Sequence, residues 1–194
     1  ADKLIRNYRN RFILDYRDYT YEDYAPFKKI IGKLAKASYA TFVSSDAFRA
    51  ALPKLDKIYT SHNLLLDSLS FRDVRSTQNR EHSPIRIAFW GFIRHEKINE
   101  EIIRKLGGDK RFELHYYGRE QQTAFNLKAL VEKKGYQNIF FHGVYLPQDR
   151  YSFAEKTDLL HNMYGNDSGT QRAMGNKYYD GIVFRIPQLC TEGS

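Results

Sequence analysis

Short apolar runs alternate with amphipathic stretches along most of the chain. Phe12-Ile13-Leu14 reads as a buried strand followed by the polar cluster Asp15-Tyr16-Arg17-Asp18. Phe27, Ile30, Ile31 and Leu34 then recur at i, i+3, i+4 and i+7, one face of a helix, with Lys28, Lys29, Lys33 and Lys36 off that stripe. A strand over 38–43 follows. Ser44-Ser45-Asp46 supplies capping chemistry for a short helix through Leu52, which Pro53 stops. A last short strand is read at Lys57-Ile58-Tyr59. Residues 72–84 are polar, without apolar periodicity, and read as a linker.

Beyond the linker the rhythm is cleaner. Strands are expected at 85–90, 111–117, 139–141, 159–163 and 187–190. Helices are expected at 98–106, 121–134, 148–156 and 171–183. Gly107-Gly108 and Lys133-Lys134-Gly135 mark two helix ends. Strands alternating with helices at this spacing argue for βαβ units, so the expected fold class is α/β, with Rossmann-like parallel sheets flanked by helices.

Ligands of an open parallel sheet bind beyond the carboxyl ends of its strands, so the loops after strands are the candidates. Gly91 permits close backbone approach, a helix start follows it, and Arg94 or Lys97 adds positive charge, a combination that suits a diphosphate. A plain turn with solvated charges explains the same residues. The loop 165–170 offers Gly165, Asn166 and Ser168 to a sugar or phosphate, or serves only to turn the chain. On the last helix Asn176 and Asp180 share a face, with Lys177 beside them, and a carboxylate there suits both hydrogens of a ribose diol. A surface Lys–Asp pair is the simpler alternative.

Composition narrows the choices. With 31 Lys and Arg against 23 Asp and Glu, the net charge is +8, which permits an anionic partner without choosing one. The longest apolar run, Ile87–Ile93, is far too short to span a bilayer. The chain opens on Ala-Asp-Lys-Leu, which has no secretory character. One cysteine, Cys190, excludes a disulfide framework or a thiolate zinc cluster, and a cytoplasmic setting is expected. The six histidines hold no pair at metal-ligand spacing on a helix, and no Walker loop, Gly-x-Gly-x-x-Gly or Gly-x-Ser-x-Gly is present. The basic and aromatic run 6–12 and the lysine-rich helix keep open a second reading, a noncatalytic basic module for nucleic acid or an anionic membrane.

Taken in order, the segments after the linker resemble the donor domain of GT-B-fold nucleotide-sugar glycosyltransferases of the bacterial group 1 (family 4-like) class. Ile87-Ala88-Phe89-Trp90-Gly91 with Lys97 is similar to that family's strand, glycine and phosphate lysine. Leu114-His115-Tyr116-Tyr117-Gly118 resembles its next strand and glycine. Asn138-Ile139-Phe140-Phe141-His142-Gly143 resembles its signature near the base. Asn176-Lys177-Tyr178-Tyr179-Asp180 followed by Ile186-Pro187 resembles its ribose helix and strand.

The resemblance implies 1–71 as the end of an acceptor-side Rossmann-like domain, 72–84 as linker and 85–194 as a donor domain incomplete at its C-terminus, together a fragment of a larger enzyme. It implies transfer of a hexosyl group from a nucleotide diphosphate sugar to a glycan or lipid-linked acceptor in bacterial surface polysaccharide synthesis. Lys97 and Arg94 would be catalytic. Gly91, Gly118, Gly143, Val144, Gly165, Asn166, Ser168, Asn176, Lys177 and Asp180 would bind the donor. No metal or cofactor is implied, the setting is the cytoplasm with peripheral contact at the inner membrane face, and nucleic acid is not an expected partner. Two positions depart from the pattern: Phe92 stands where arginine is usual, and Asp180 replaces glutamate.

Overall fold

The computed structural model describes residues 1–18, 21–64, 84–165 and 175–192. The described chain divides into two compact units, one carrying the elements from Asp2 to Thr60 and the other those from Ile85 to Cys190. All but one residue of the expected linker, together with Asn166 and Ser168, lies outside the described residues. No helix among the described residues is long and apolar enough to cross a membrane.

The first unit holds α1 (Asp2–Tyr8), β1 (Ile13–Tyr16), α2 (Ala25–Ala37), β2 (Ala40–Val43), α3 (Asp46–Ala51) and β3 (Ile58–Thr60). The strands pair in parallel in the order β1-β2-β3. Helix α1 was not legible in the basic run and buries none of its residues. Strand β1 corrects the expectation of a buried Phe12-Ile13-Leu14. Period-2 alternation turns Leu14 and Tyr16 toward the helix-covered core with Val43, Phe48 and Ile58, which leaves Ile13 61% exposed on the opposite face. Strand β1 also runs on through Asp15 and Tyr16, the first two residues of the expected polar cluster. Ala35 and Ala37 of α2 are buried, Phe27, Ile31 and Leu34 of the expected stripe are half-buried, and Ile30 is exposed. Ser45 caps α3 by accepting the Phe48 amide at 3.4 Å, as its sequence position implies.

The second unit holds β4 (Ile85–Trp90), α4 (Glu96–Leu106), β5 (Phe112–Tyr117), α5 (Gln122–Lys134), β6 (Ile139–Phe141), a 3-10 turn (Pro147–Asp149), α6 (Arg150–Ala154), β7 (Leu159–Asn162), α7 (Asn176–Val183) and β8 (Gln188–Cys190). All five strands are parallel, in the order β6-β5-β4-β7-β8. Chain order therefore runs outward from β4 in both directions. The switch point lies between β4 and β7, where an open sheet leaves its crevice.

Alternation along β4 builds both layers. Ile87 and Phe89 join Leu114, Tyr116 and Ile139 beneath Ile103 of α4 and Leu127 of α5. Ala88 and Trp90 join Leu160 and Ile186 against Phe153 of α6 and Val183 of α7. A central strand covered on both faces accounts for its apolar run from Ile87 to Trp90.

At the carboxyl edge the strands end on glycines tied by their backbones. The Gly91 amide donates to the Tyr117 carbonyl at 2.9 Å, and the Gly118 amide donates to the Gly143 carbonyl at 2.7 Å. Gly118 has a φ of +157°, and a Cβ placed there would overlap the Gly91 carbonyl oxygen. Because the obstacle is backbone, relief requires the strand ends themselves to separate. Gly118→Ala should destabilise the protein by about 2 kcal/mol or more. The check is the denaturation midpoint in urea, and an unchanged midpoint would show that this approach is not needed.

Candidate functional site

The crevice at the switch point is bordered by the loop from Gly91 to His95, the start of α4, the end of β7 through Gly165, and the start of α7. Helix α4 begins after His95, whose backbone is left-handed at φ 59° and ψ 60°. A β-carbon-bearing residue adopts that conformation at a cost, so something must hold it. Asn99 on α4 does so. Its Nδ2 donates to the Arg94 carbonyl at 2.6 Å and to the His95 carbonyl at 3.1 Å. Its Oδ1 accepts from the Tyr116 hydroxyl at 2.9 Å and from His161 Nε2 at 3.0 Å.

That arrangement assigns the tautomer of His161. Nε2 carries the proton, and Nδ1 accepts the Met163 amide at 3.3 Å. Burial, followed by the charge that nearby Lys177 carries in acid, depresses its pKa to about 3. Burial likewise raises the Tyr116 phenol, so both buried rings are neutral at ordinary pH.

The sequence-derived residues fall into three groups. Arg94 and Lys97 are exposed at the β4–α4 corner, with the Arg94 guanidinium 4.8 Å from the Phe92 ring centroid. They lie beside the α4 N-terminus, whose first amides lack helical acceptors. Gly91 and Gly165 border the same crevice. Gly118 is buried and acts through its backbone, while Gly143 and the exposed Val144 sit at the end of β6, two strands from the crevice.

The third group is on α7, where Asn176 and Asp180 lie four apart on one helix but differ in burial. Asn176 is exposed, but Asp180 is only 5% exposed. Asp180 Oδ2 accepts from the Trp90 indole at 2.8 Å and from Arg150 Nη1 at 3.1 Å, and Oδ1 accepts from the same Arg150 nitrogen at 3.3 Å. Burial raises the Asp180 pKa against the pull of Trp90 and Arg150. With Oδ2 taken up by two donors, only Oδ1 retains good acceptor capacity, so the carboxylate suits one hydroxyl rather than both of a diol.

Lys177 is buried on the same helix. Its Nζ donates to the His161 carbonyl at 3.3 Å and sits 3.3 Å from the Phe89 ring centroid, with Tyr164 at 5.0 Å. Sequence reasoning missed Asn99, Arg150, Trp90, His161 and Tyr164. Each acts through a tertiary contact that local spacing does not encode. Among the described residues no group of three or more His, Cys, Asp and Glu side chains gathers to hold a metal ion.

A row of aromatic side chains runs along the carboxyl edge. Tyr117 stacks on His142 at 4.2 Å and on Phe153 at 4.1 Å. His142 Nε2 is 3.0 Å from His115 Nδ1, and His115 Nε2 is 3.3 Å from Glu113. Burial lowers the pKa of both histidines.

No protein-family model and no curated protein sequence matches the chain. Solved structures do. HepE of Anabaena, solved in complex with UDP and glucose, matches with a TM-score of 0.63 at 12% identity, over 92% of this chain and 52% of HepE. TarM matches with a TM-score of 0.51 at 16% identity, over 84% of this chain and 31% of TarM. The likeness shows that the chain has the Rossmann-like α/β fold of these GT-B structures. It spans about half the length of HepE and about a third of TarM.

The buried His161 makes the fold sensitive to acid. Its folded pKa of about 3 lies below the ordinary 6.5, so the unfolded chain binds the proton first. Its contribution to stability is complete above pH 6.5 and is lost as the pH falls toward 3, by up to about 1.4 kcal/mol per pH unit. His161→Gln should flatten that part of the stability–pH curve. An unchanged slope between wild type and variant would refute the assignment.

Proposed function

We propose that the second unit binds a nucleotide diphosphate sugar at the β4/β7 crevice, and that the chain is part of a glycosyltransferase. The observation carrying this reading is the convergence of Arg94, Lys97, the α4 N-terminus and the buried Lys177 at the switch point of a GT-B-type sheet. HepE, of the same fold, was solved with UDP and glucose, which favours UDP as the nucleotide.

In this reading the departing diphosphate gains negative charge as the glycosidic bond breaks. Arg94, Lys97 and the α4 amides stabilise that charge from fixed positions. Lys97 acts as an exposed point charge on the first turn of α4, and Asn99 behind it fixes the loop that presents Arg94. One ribose hydroxyl donates to Asp180 Oδ1, while the base lies toward Gly143 and Val144 at the end of β6. Asn176 and the loop from Gly165 through Asn166 and Ser168 complete the sugar side. No metal or cofactor enters the proposal.

The first unit takes the acceptor side, a glycan or lipid-linked molecule in surface polysaccharide synthesis, with a hexose as the transferred group. The exposed lysines of α2, together with exposed Tyr24 and Ile30, suit peripheral contact with an anionic bilayer.

Thermal shift and calorimetry with UDP, GDP, ADP and uridine test the donor site. UDP should raise the melting temperature and uridine should act far more weakly. Lys97→Ala should weaken UDP binding about five- to tenfold and leave uridine binding unchanged. Equal losses for UDP and uridine would refute the phosphate role of Lys97.

A further inference from the structure

We propose that binding of a diphosphate in the β4/β7 crevice is coupled to uptake of one proton by Lys177, which is neutral in the free chain and an ammonium in the complex. The inference rests on the nucleotide-sugar reading above and adds a proton linkage to it.

The geometry that carries it is a charge imbalance around a buried amine. Lys177 is 5% exposed, and the only hydrogen bond of its Nζ among the described residues is the 3.3 Å contact to the His161 carbonyl. Ring faces of Phe89 and Tyr164 border it, at 3.3 Å and 5.0 Å from their centroids. An ammonium with three donors is thus offered one carbonyl and two rings, far less than water supplies.

The titratable groups around it come from every neighbouring element. The loop after β4 contributes the Arg94 guanidinium, which repels an ammonium. From β7 comes the His161 ring, kept neutral by burial, and after β7 the Tyr164 phenol, pushed up to about 12 and so also neutral. Helix α7 contributes Asp180, the single carboxylate among the described residues that acts on Lys177, and α6 contributes Arg150, which already pairs with that carboxylate at 3.1 Å. A charged Lys177 would therefore make a third cation around one anion.

Burial holds the Lys177 amine well below the ordinary lysine range; Asp180 draws it up, and Arg94 pushes it further down. A diphosphate seated against Arg94 and the α4 N-terminus reverses the balance. Its charge cancels the Arg94 repulsion and supplies the missing anion, and the Phe89 face then holds the cation favourably. Binding and protonation are reciprocal, so a ligand that favours the ammonium must bind more weakly as protons become scarce.

Calorimetry of UDP binding to the full chain at about pH 8, in buffers of contrasting ionisation enthalpy, reads the proton directly. The last ionisation of a phosphate ester lies near pH 6, so the nucleotide is already deprotonated and uptake reports the protein. The apparent enthalpy should vary with buffer with a slope close to one proton. Uridine should give no slope. Lys177→Arg, charged at every pH, should lose the slope, and the wild-type Kd should weaken by up to about tenfold per pH unit on the alkaline side.

Nitrogen-15 spectra of lysine-labelled wild type check the same point without a variant. A neutral amine signal should convert to an ammonium signal on adding UDP. UDP binding with a buffer-independent enthalpy, or an ammonium already present in the free chain, would overturn the linkage and leave the nucleotide reading standing. Absence of UDP binding would overturn both.

Discussion

Asn99 uses all four of its hydrogen-bonding positions, two donated to the carbonyls of Arg94 and His95 and two accepted from Tyr116 and His161. Through them one buried amide joins the loop after β4 to the interior of β5 and to the end of β7. A left-handed residue, a neutral histidine and the first turn of α4 are held by the same side chain. A polar network of this kind specifies a single arrangement only when every member is satisfied. Here the buried neighbours of Asn99 are uncharged, so the network carries no ionic desolvation cost and its order does not depend on salt.

The charged layer is organised differently. Arg150 and Asp180 are buried together, and the Trp90 indole donates to the same carboxylate oxygen. A buried pair gains little net stability over apolar packing, because desolvation offsets attraction, but losing one partner strands the other. Its effect is positional. Trp90 ends β4, Arg150 opens α6 and Asp180 lies within α7, so the pair fixes α7 against the central strand. Lys177, three residues earlier on that helix, is placed at the crevice as a result. The neutral network thus sets the loop on one side of the switch point, and the ionic one sets the helix on the other.

Much of the second unit was legible in the sequence because its signals are local. The run from Ile85 to Trp90, the alternation through Phe112, Leu114 and Tyr116, and Gly135 after two lysines each encode an element without help from the rest of the chain. The first unit was less legible. Ile13 lies in an apolar run yet faces away from the packed core, since a strand's burial depends on which face is covered, and three residues do not reveal that. Asp180 shows the same limit within the site. The i, i+4 spacing with Asn176 is correct for a helix, but the orientation of that helix is set by Trp90 and Arg150, distant in sequence and invisible to periodicity.

The low identity to structures of the same fold is consistent with how the crevice is built. Its backbone parts require only glycine at tight strand ends, a helix start and a parallel sheet whose order reverses, and many sequences meet those conditions. The side chains that tune it, Asn99 on one flank and Arg150 with Asp180 on the other, are held by contacts between elements. The fold persists at 12% identity to HepE, over 92% of this chain. The glycines and strand ends thus keep the shape of the crevice, while its charge comes from Arg94, Arg150, Lys177 and Asp180.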